Sequence, residues 1–260
     1  MNFILNDLPA ELSNHRNKLI NKLKIASEDY EEKRSQLIYF EGISVTMKLI
    51  SDNSTSLNIL NISKETIDGF KKMKTDLEIK GKSFEMFIKE KKYVDSYQIF
   101  EDYLHECLLA FIYYFPRKSI KNLNIDELQL TDDYNDNLDL FEKSENIFIK
   151  KSIDKIIFEE FKNKFNLLTN IEDDYLLRLY YHSQNRNMLV HRYGVVDKRY
   201  LKNINDKKLK PEYKLGDLIY KKIDQELSDI ELLLFDLKSK IIESFYQESF
   251  ILIKNYFNKI

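Results

Sequence analysis

Residues Leu8–Met47 read LPAELSNHRNKLINKLKIASEDYEEKRSQLIYFEGISVTM, and apolar side chains recur in this stretch every three or four residues. That spacing predicts one long amphipathic helix. Asp7 is its expected cap, and Pro9 falls in the first turn, where the missing N–H of proline is tolerated. The apolar face is long enough to pair with another helix, either of this chain or of a second copy. It comprises Leu12, Leu19, Leu23, Ala26, Tyr30, Leu37, Phe40 and Met47.

The same periodicity continues along the chain. A second helix is predicted from about Ser63, as N-cap, to near Lys80, where Gly81 ends it. Further helices are predicted over about 92–115, 145–165 and 171–193, and a last long helix from about residue 223. Residues 195–217 are predicted to be irregular. The pattern indicates an all-α protein with a long N-terminal and a long C-terminal helix.

Composition supports long helices and a single domain. The 260 residues include only 5 Gly and 3 Pro, too few for many tight turns. We predict one helical domain over 1–260, in which 1–55 form the long N-terminal helix and 92–258 form the core. A net charge of −2 excludes a histone-like nucleic-acid binder, so any RNA contact must come from a local patch.

The single cysteine, Cys107, excludes an intramolecular disulfide and fits a reducing compartment. It begins the apolar run 107–115, and we predict that it is buried. That run is far shorter than the roughly 18 residues of a membrane span. The first residues also lack the pattern of a signal peptide. We therefore expect a cytoplasmic protein without a membrane partner.

Metal-binding patterns are weak. Asp132, Asp133 and Asp136 fall in the acidic stretch 122–139, but the glycine and the closing glutamate of a calcium loop are missing. A solvated loop is the expectation there. His15 and His105 lack companions with ligand spacing. We expect neither a metal nor another cofactor.

One segment concentrates polar residues on an otherwise apolar helix: His182–Gly194, HSQNRNMLVHRYG. At ~100° per residue, Arg186 and His191 lie about 140° apart on the two margins of the predicted buried stripe. One straight helix cannot direct both at one atom. Either the helix bends, or the two groups meet across a two-fold axis with a second chain. The predicted stripe comprises Leu176, Leu179, Ser183, Asn187 and Val190.

The segment Arg186-Asn187-Met-Leu-Val-His191-Arg-Tyr193 resembles the Arg-x4-His motif of the HEPN superfamily, in the form with Tyr two residues beyond the His. The continuation to Leu201 is similar to HEPN proteins of bacterial defence loci, so the resemblance covers about sixteen residues. It implies an up-and-down helical bundle, a homodimer with the motif at its interface, and metal-independent RNA cleavage. The superfamily also contains members that have lost activity.

These residue types suit RNA cleavage by the neighbouring 2′-hydroxyl. His191 can accept or donate a proton near neutral pH, and Arg186 offers a two-pronged donor for phosphate oxygens. Asn187 and Tyr193 complete the expected catalytic set. In some HEPN toxins this Tyr is the target of a partner nucleotidyltransferase, so the resemblance also implies that Tyr193 is an active-site or modification site; the alternative is an ordinary partly buried residue. Basic residues after the motif are expected to bind RNA phosphates, although a solvated loop is an equal alternative: Lys198, Arg199, Lys202, Lys207 and Lys208.

The sequence therefore predicts a homodimeric endoribonuclease that cuts single-stranded RNA without metal, as a toxin or antiviral defence effector. An antitoxin or another defence-system protein is the expected partner. The main alternative is a catalytically inactive HEPN protein that binds RNA or a partner protein. A third is a helical adaptor, in which His191 only caps its helix and Arg186 forms a surface ion pair.

Overall fold

The structure, a computed structural model, describes residues 8–52, 63–114, 151–168 and 171–257. These ranges contain helices and no strand, which confirms the all-α prediction; Val195 and Leu218 form one isolated antiparallel bridge. Asp7, Pro116 and the acidic stretch 122–139 lie outside the described residues. The helices are α1 (Leu8–Asp52), α2 (Lys64–Ile79), α3 (Phe84–Tyr114), α4 (Ile153–Lys155, continuing as the π-helix Ile156–Lys164), α5 (Asp173–Arg192), α6 (Lys198–Asp206) and α7 (Ile223–Phe257), with a 3₁₀ turn at Ile219–Lys222.

Capping residues mark both ends of α2 where the sequence predicts them. The Ser63 side chain accepts a hydrogen bond from the Thr66 amide at 3.2 Å at the start of α2. Gly81 follows that helix with φ of +68°, a conformation that favours glycine. The predicted starts of α1 and α7, at Leu8 and Ile223, are confirmed.

Three predicted boundaries are wrong. Helix α4 begins at Ile153, not near Glu145, since residues 151 and 152 are not helical. Helix α3 begins at Phe84, not near Lys92, because Ser83 caps it by accepting the Met86 amide at 3.1 Å. Four of the eight residues in 84–91 are charged and interrupt the apolar period, although Ile88 among them is buried. The stretch 195–217 is also not irregular throughout, since α6 lies within it.

The described chain divides into two compact units. The first takes residues 8–31, 100–114, 151–168, 171–183 and 232–257, and the second takes 32–52, 63–99 and 184–231. Four helices, α1, α3, α5 and α7, contribute residues to both units. The single domain expected for 1–260 stays a prediction.

The first unit has an aromatic core. The Phe111 ring packs edge to face on Phe245, with centroids 5.1 Å apart, and on Phe165 at 5.7 Å. Tyr30 of α1 lies against Phe100 of α3 in the same way at 6.0 Å, a geometry that aromatic quadrupoles favour. Cys107 is buried beside this core, as predicted, and burial raises the pKa of its thiol to about 12.

In the second unit, ion pairs join α3 to α7. Lys89 contacts Asp224 at 2.6 Å, and Lys92 contacts Glu231 at 3.0 Å. The Asp224 carboxylate is the main reason why the pKa of Lys89 is raised. Within the described ranges, no helix is long and apolar enough to cross a membrane.

Candidate active site

The Arg186–Tyr193 segment lies in the second unit, on the C-terminal half of α5 and just beyond it. The predicted buried stripe is confirmed at Leu179 and Ser183 but is wrong in this half of α5. Val190 is 44% exposed and Asn187 is only partly buried, whereas Asn185, Met188 and Leu189 are buried. The spacing of one helix does not show which face its neighbours cover, and partners on α6 and α7 bury Asn185 instead.

Arg186 and His191 consequently flank an exposed face of α5 that carries Asn187 and Val190. The helix is continuous from Asp173 to Arg192. Five residues of α-helix separate the two side chains by about 140° and about 7.5 Å along the axis. They therefore border the same open surface from opposite sides.

The Arg186 guanidinium is partly buried, and its hydrogen bonds are few and long. Within the described residues, its Nε is buried without an acceptor, and its two terminal nitrogens donate only long bonds of 3.5 Å, to Asn187 Oδ1 and Gln98 Oε1. Both acceptors are neutral amides. Among the residues that the structure describes, no carboxylate forms an ion pair with Arg186. A cation in this state is favourably placed to bind an anion.

His191 lies exposed in the last turn of α5. In the described part of the chain, no group forms a hydrogen bond with its imidazole. The ring is therefore open to solvent and to any ligand on the α5 surface. His182, nine residues earlier on the same helix, is by contrast fully buried and lies against the Tyr181 ring.

The C-terminal end of α5 is closely packed and held by backbone hydrogen bonds. The Gly194 amide donates to the Met188 carbonyl at 2.9 Å, and Gly194 has φ of +76°. This confirms Gly194 at the helix end, but Tyr193 before it is already left-handed, at +54°. A Cβ atom on Gly194 would lie 2.9 Å from Cδ1 of Tyr220. Position 194 consequently excludes any larger residue without movement of that ring.

A buried hydrogen-bond network lies behind the motif, and sequence reasoning missed it. The Tyr200 hydroxyl donates to Asn185 Oδ1 at 2.7 Å, and Asn185 Nδ2 donates to Glu226 Oε2 at 2.9 Å. The Tyr213 hydroxyl donates to the other Glu226 oxygen at 2.7 Å. All four side chains are buried. The residue next to Arg186 is thereby joined to α6, to α7 and to the segment between them.

The pKa of Tyr213 in this network is raised. Burial, and then the Glu226 charge, raise the pKa of Tyr213 above its usual range. The same two causes, in the same order, raise the pKa of Tyr93, which is fully buried nearby. Glu226 had a signal in the sequence, since it lies three residues after Ile223 and four before Ile230, on the apolar face of α7.

The basic residues expected to bind RNA are all exposed, but they lie on a helix and the turn after it. Asp197 caps α6 by accepting the Tyr200 amide at 2.7 Å, and Arg192 contacts Asp197 at 3.6 Å. Tyr200 and Ile204 form the buried side of α6. Lys198, Arg199 and Lys202 belong to α6, and Lys207 and Lys208 follow it.

Within the described ranges, no group of three or more His, Cys, Asp or Glu side chains is placed to hold a metal ion. Comparison of the chain with protein-family models found no match, and comparisons with curated proteins and with solved structures found none either.

Proposed function

We propose that this protein is a HEPN-type endoribonuclease that cuts single-stranded RNA without a metal ion and acts in the cytoplasm as a toxin or antiviral defence effector. The observation that carries the proposal is the Arg186 guanidinium, partly buried without a carboxylate partner in the described structure and sharing an exposed helix surface with His191. An RNA phosphate would supply the missing counter-charge.

The proposed reaction is a transesterification. A base removes the proton of the 2′-hydroxyl, whose oxygen attacks the adjacent phosphorus. The bond to the 5′-oxygen then breaks, and an acid protonates that leaving group. The products are a 2′,3′-cyclic phosphate and a 5′-hydroxyl. Arg186 stabilises the charge that develops on the phosphorane, and two copies of His191 serve as base and acid.

A homodimer would supply the second histidine. The α5 surface between Arg186 and His191 carries Val190, and Val195 beyond it is also exposed, at 39%. A two-fold axis at this surface would let each chain cover the same residues of the other. Light scattering in dilute solution is expected to give about twice 31.3 kDa. A monomer at micromolar concentration would contradict a composite site.

Metal independence is the direct test of the proposed function. Purified protein is expected to cleave single-stranded RNA at the same rate in excess EDTA as in Mg²⁺, because nucleophile, acid, base and charge stabiliser come from RNA and side chains. Gel analysis of labelled RNA measures this. Activity that EDTA abolishes and Mg²⁺ restores would place the active site elsewhere, such as in the acidic stretch 122–139.

One observation favours the alternative, a catalytically inactive HEPN protein that binds RNA or a partner protein. No described group orients the His191 ring, whereas a general base is usually held by a hydrogen bond. Arg186 and the exposed lysines of α6 could bind phosphates without any proton transfer. Tight RNA binding with no cleavage by the dimer would select this alternative. Whether the protein is catalytic or inactive, we expect it to bind an antitoxin or another defence-system protein.

A further inference from the structure

Tyr193 combines a left-handed backbone conformation with an exposed ring. Its φ of +54° is a conformation that L side chains disfavour, and its side chain is 75% exposed. Packing therefore does not compensate for the strain. Glycine would adopt this backbone freely, and the chain already places one at the next position. The helix end requires a left-handed residue here, and the exposed tyrosine ring at this position is available to a ligand.

The backbone that carries the ring is held in place. On its C-terminal side, the Ile219 amide donates to the Gly194 carbonyl at 2.9 Å, and the Gly194 amide is bonded to Met188. The Tyr220 ring lies directly against Gly194. Tyr193 is thus an exposed aromatic group on a fixed support, which lowers the entropy lost when a ligand binds it.

A cation accompanies the ring. The Lys80 ammonium, at the end of α2, lies 6.0 Å from the centroid of Tyr193, and both side chains are exposed. The Tyr220 hydroxyl donates to the Lys80 carbonyl at 3.4 Å, so the same residue supports both positions. Proteins commonly bind single-stranded nucleic acid with an aromatic face, which stacks on a base, and a nearby positive charge, which binds a phosphate.

We propose that Tyr193 is a stacking platform for one unpaired RNA base and that Lys80 binds a phosphate next to it. The inference rests on the proposed function and specifies its substrate as a strand with an unstacked base beside the cleavage site. The contact is tolerant of sequence, because every base has a π-face. It orients the strand over the α5 surface bordered by Arg186 and His191.

The absence of tryptophan from the chain gives a direct test. A Tyr193→Trp protein carries a single indole, whose fluorescence should be quenched when a base stacks on it. The probe is a short 2′-O-methylated single-stranded RNA of mixed sequence, which lacks the nucleophile and stays intact. Tyr39→Trp is the matched control, because Tyr39 is also 75% exposed. Quenching at position 193 alone is expected; equal responses at both positions, or none at 193, would overturn the proposal.

Affinity for the same probe separates the ring from its backbone. Tyr193→Ala should weaken binding by about 5- to 100-fold, the size of one base–aromatic stack, while Tyr193→Phe should bind like wild type. Tyr193→Gly should lose the same affinity yet raise Tm by about 2–4 °C, because it relieves the strain. Lys80→Ala should reduce the salt dependence of binding by about one phosphate contact, and Lys71→Ala should not.

The outcomes separate this proposal from the nuclease proposal. If the wild-type protein cleaves RNA and Tyr193→Ala cleaves it with an unchanged KM, the stacking proposal is rejected and the nuclease proposal is retained. Loss of the dimer in Tyr193→Ala, without loss of RNA affinity per chain, would make the ring a subunit contact instead. Failure of wild-type protein to bind or cut RNA would reject both.

Discussion

Alanine at His191 or at Arg186 is expected to reduce RNA cleavage by about two to four orders of magnitude, the usual size of general acid–base and charge-stabilising contributions. Single-turnover rates on labelled RNA measure the loss. Both side chains contact solvent, so folding and dimerisation should survive. The remaining products should end in a 2′,3′-cyclic phosphate, and DNA of the same sequence should resist cleavage because it lacks the 2′-hydroxyl.

Two matched variants sharpen this test. Arg186→Lys should recover little activity, since a point charge does not replace a planar two-pronged donor. Arg178→Ala, on the same helix but outside the motif, should cleave like wild type. His191→Ala protein that is folded and still cleaves at nearly the wild-type rate would return this residue to a structural role.

Glu226→Ala is expected to lower the free energy of unfolding by about 2–5 kcal/mol. The substitution leaves the buried Asn185 Nδ2 without its acceptor, and it leaves the Tyr213 hydroxyl only the Ile219 carbonyl at 3.5 Å. Each unsatisfied buried donor costs about 1–3 kcal/mol. Chemical denaturation followed by circular dichroism measures the change.

Glu226→Gln keeps one acceptor oxygen and should lose less, about 1–2 kcal/mol. Glu231→Ala, five residues along the same helix, removes only the partly exposed pair with Lys92 and should cost below about 1 kcal/mol. If Glu226→Ala is as stable as Glu231→Ala, the network does not stabilise the second unit.

Local chemistry explains why most of the fold was predictable. Caps and helix-ending glycines act within a few residues, so Ser63, Gly81 and Gly194 located three helix ends correctly. The start of α3 was missed because charged residues alternate with its apolar ones. Helix α6 was missed because it has only nine residues, and its buried residues Tyr200 and Ile204 span little more than one turn.

The sequence indicated which residues form the candidate site, but it did not indicate which of the residues around them are buried. Arg186, His191 and Tyr193 stand out as a motif, but the periodicity of α5 assigned Val190 to the interior, where the structure leaves it exposed. Burial of Asn185 depends on Glu226, which is 41 residues away in the chain. Contacts of that separation arise from packing, which the pattern of one helix does not encode.

The contact between Gly194 and Tyr220 bears on how relatives of this chain should be recognised. Glycine is the only residue that combines φ of +76° with a ring 2.9 Å from the Cβ position. Selection for the helix end therefore acts on two residues far apart in the sequence. A search signature that requires Arg-x4-His-x-Tyr-Gly together with an aromatic residue at the position of Tyr220 would separate true relatives from chance occurrences of the short motif.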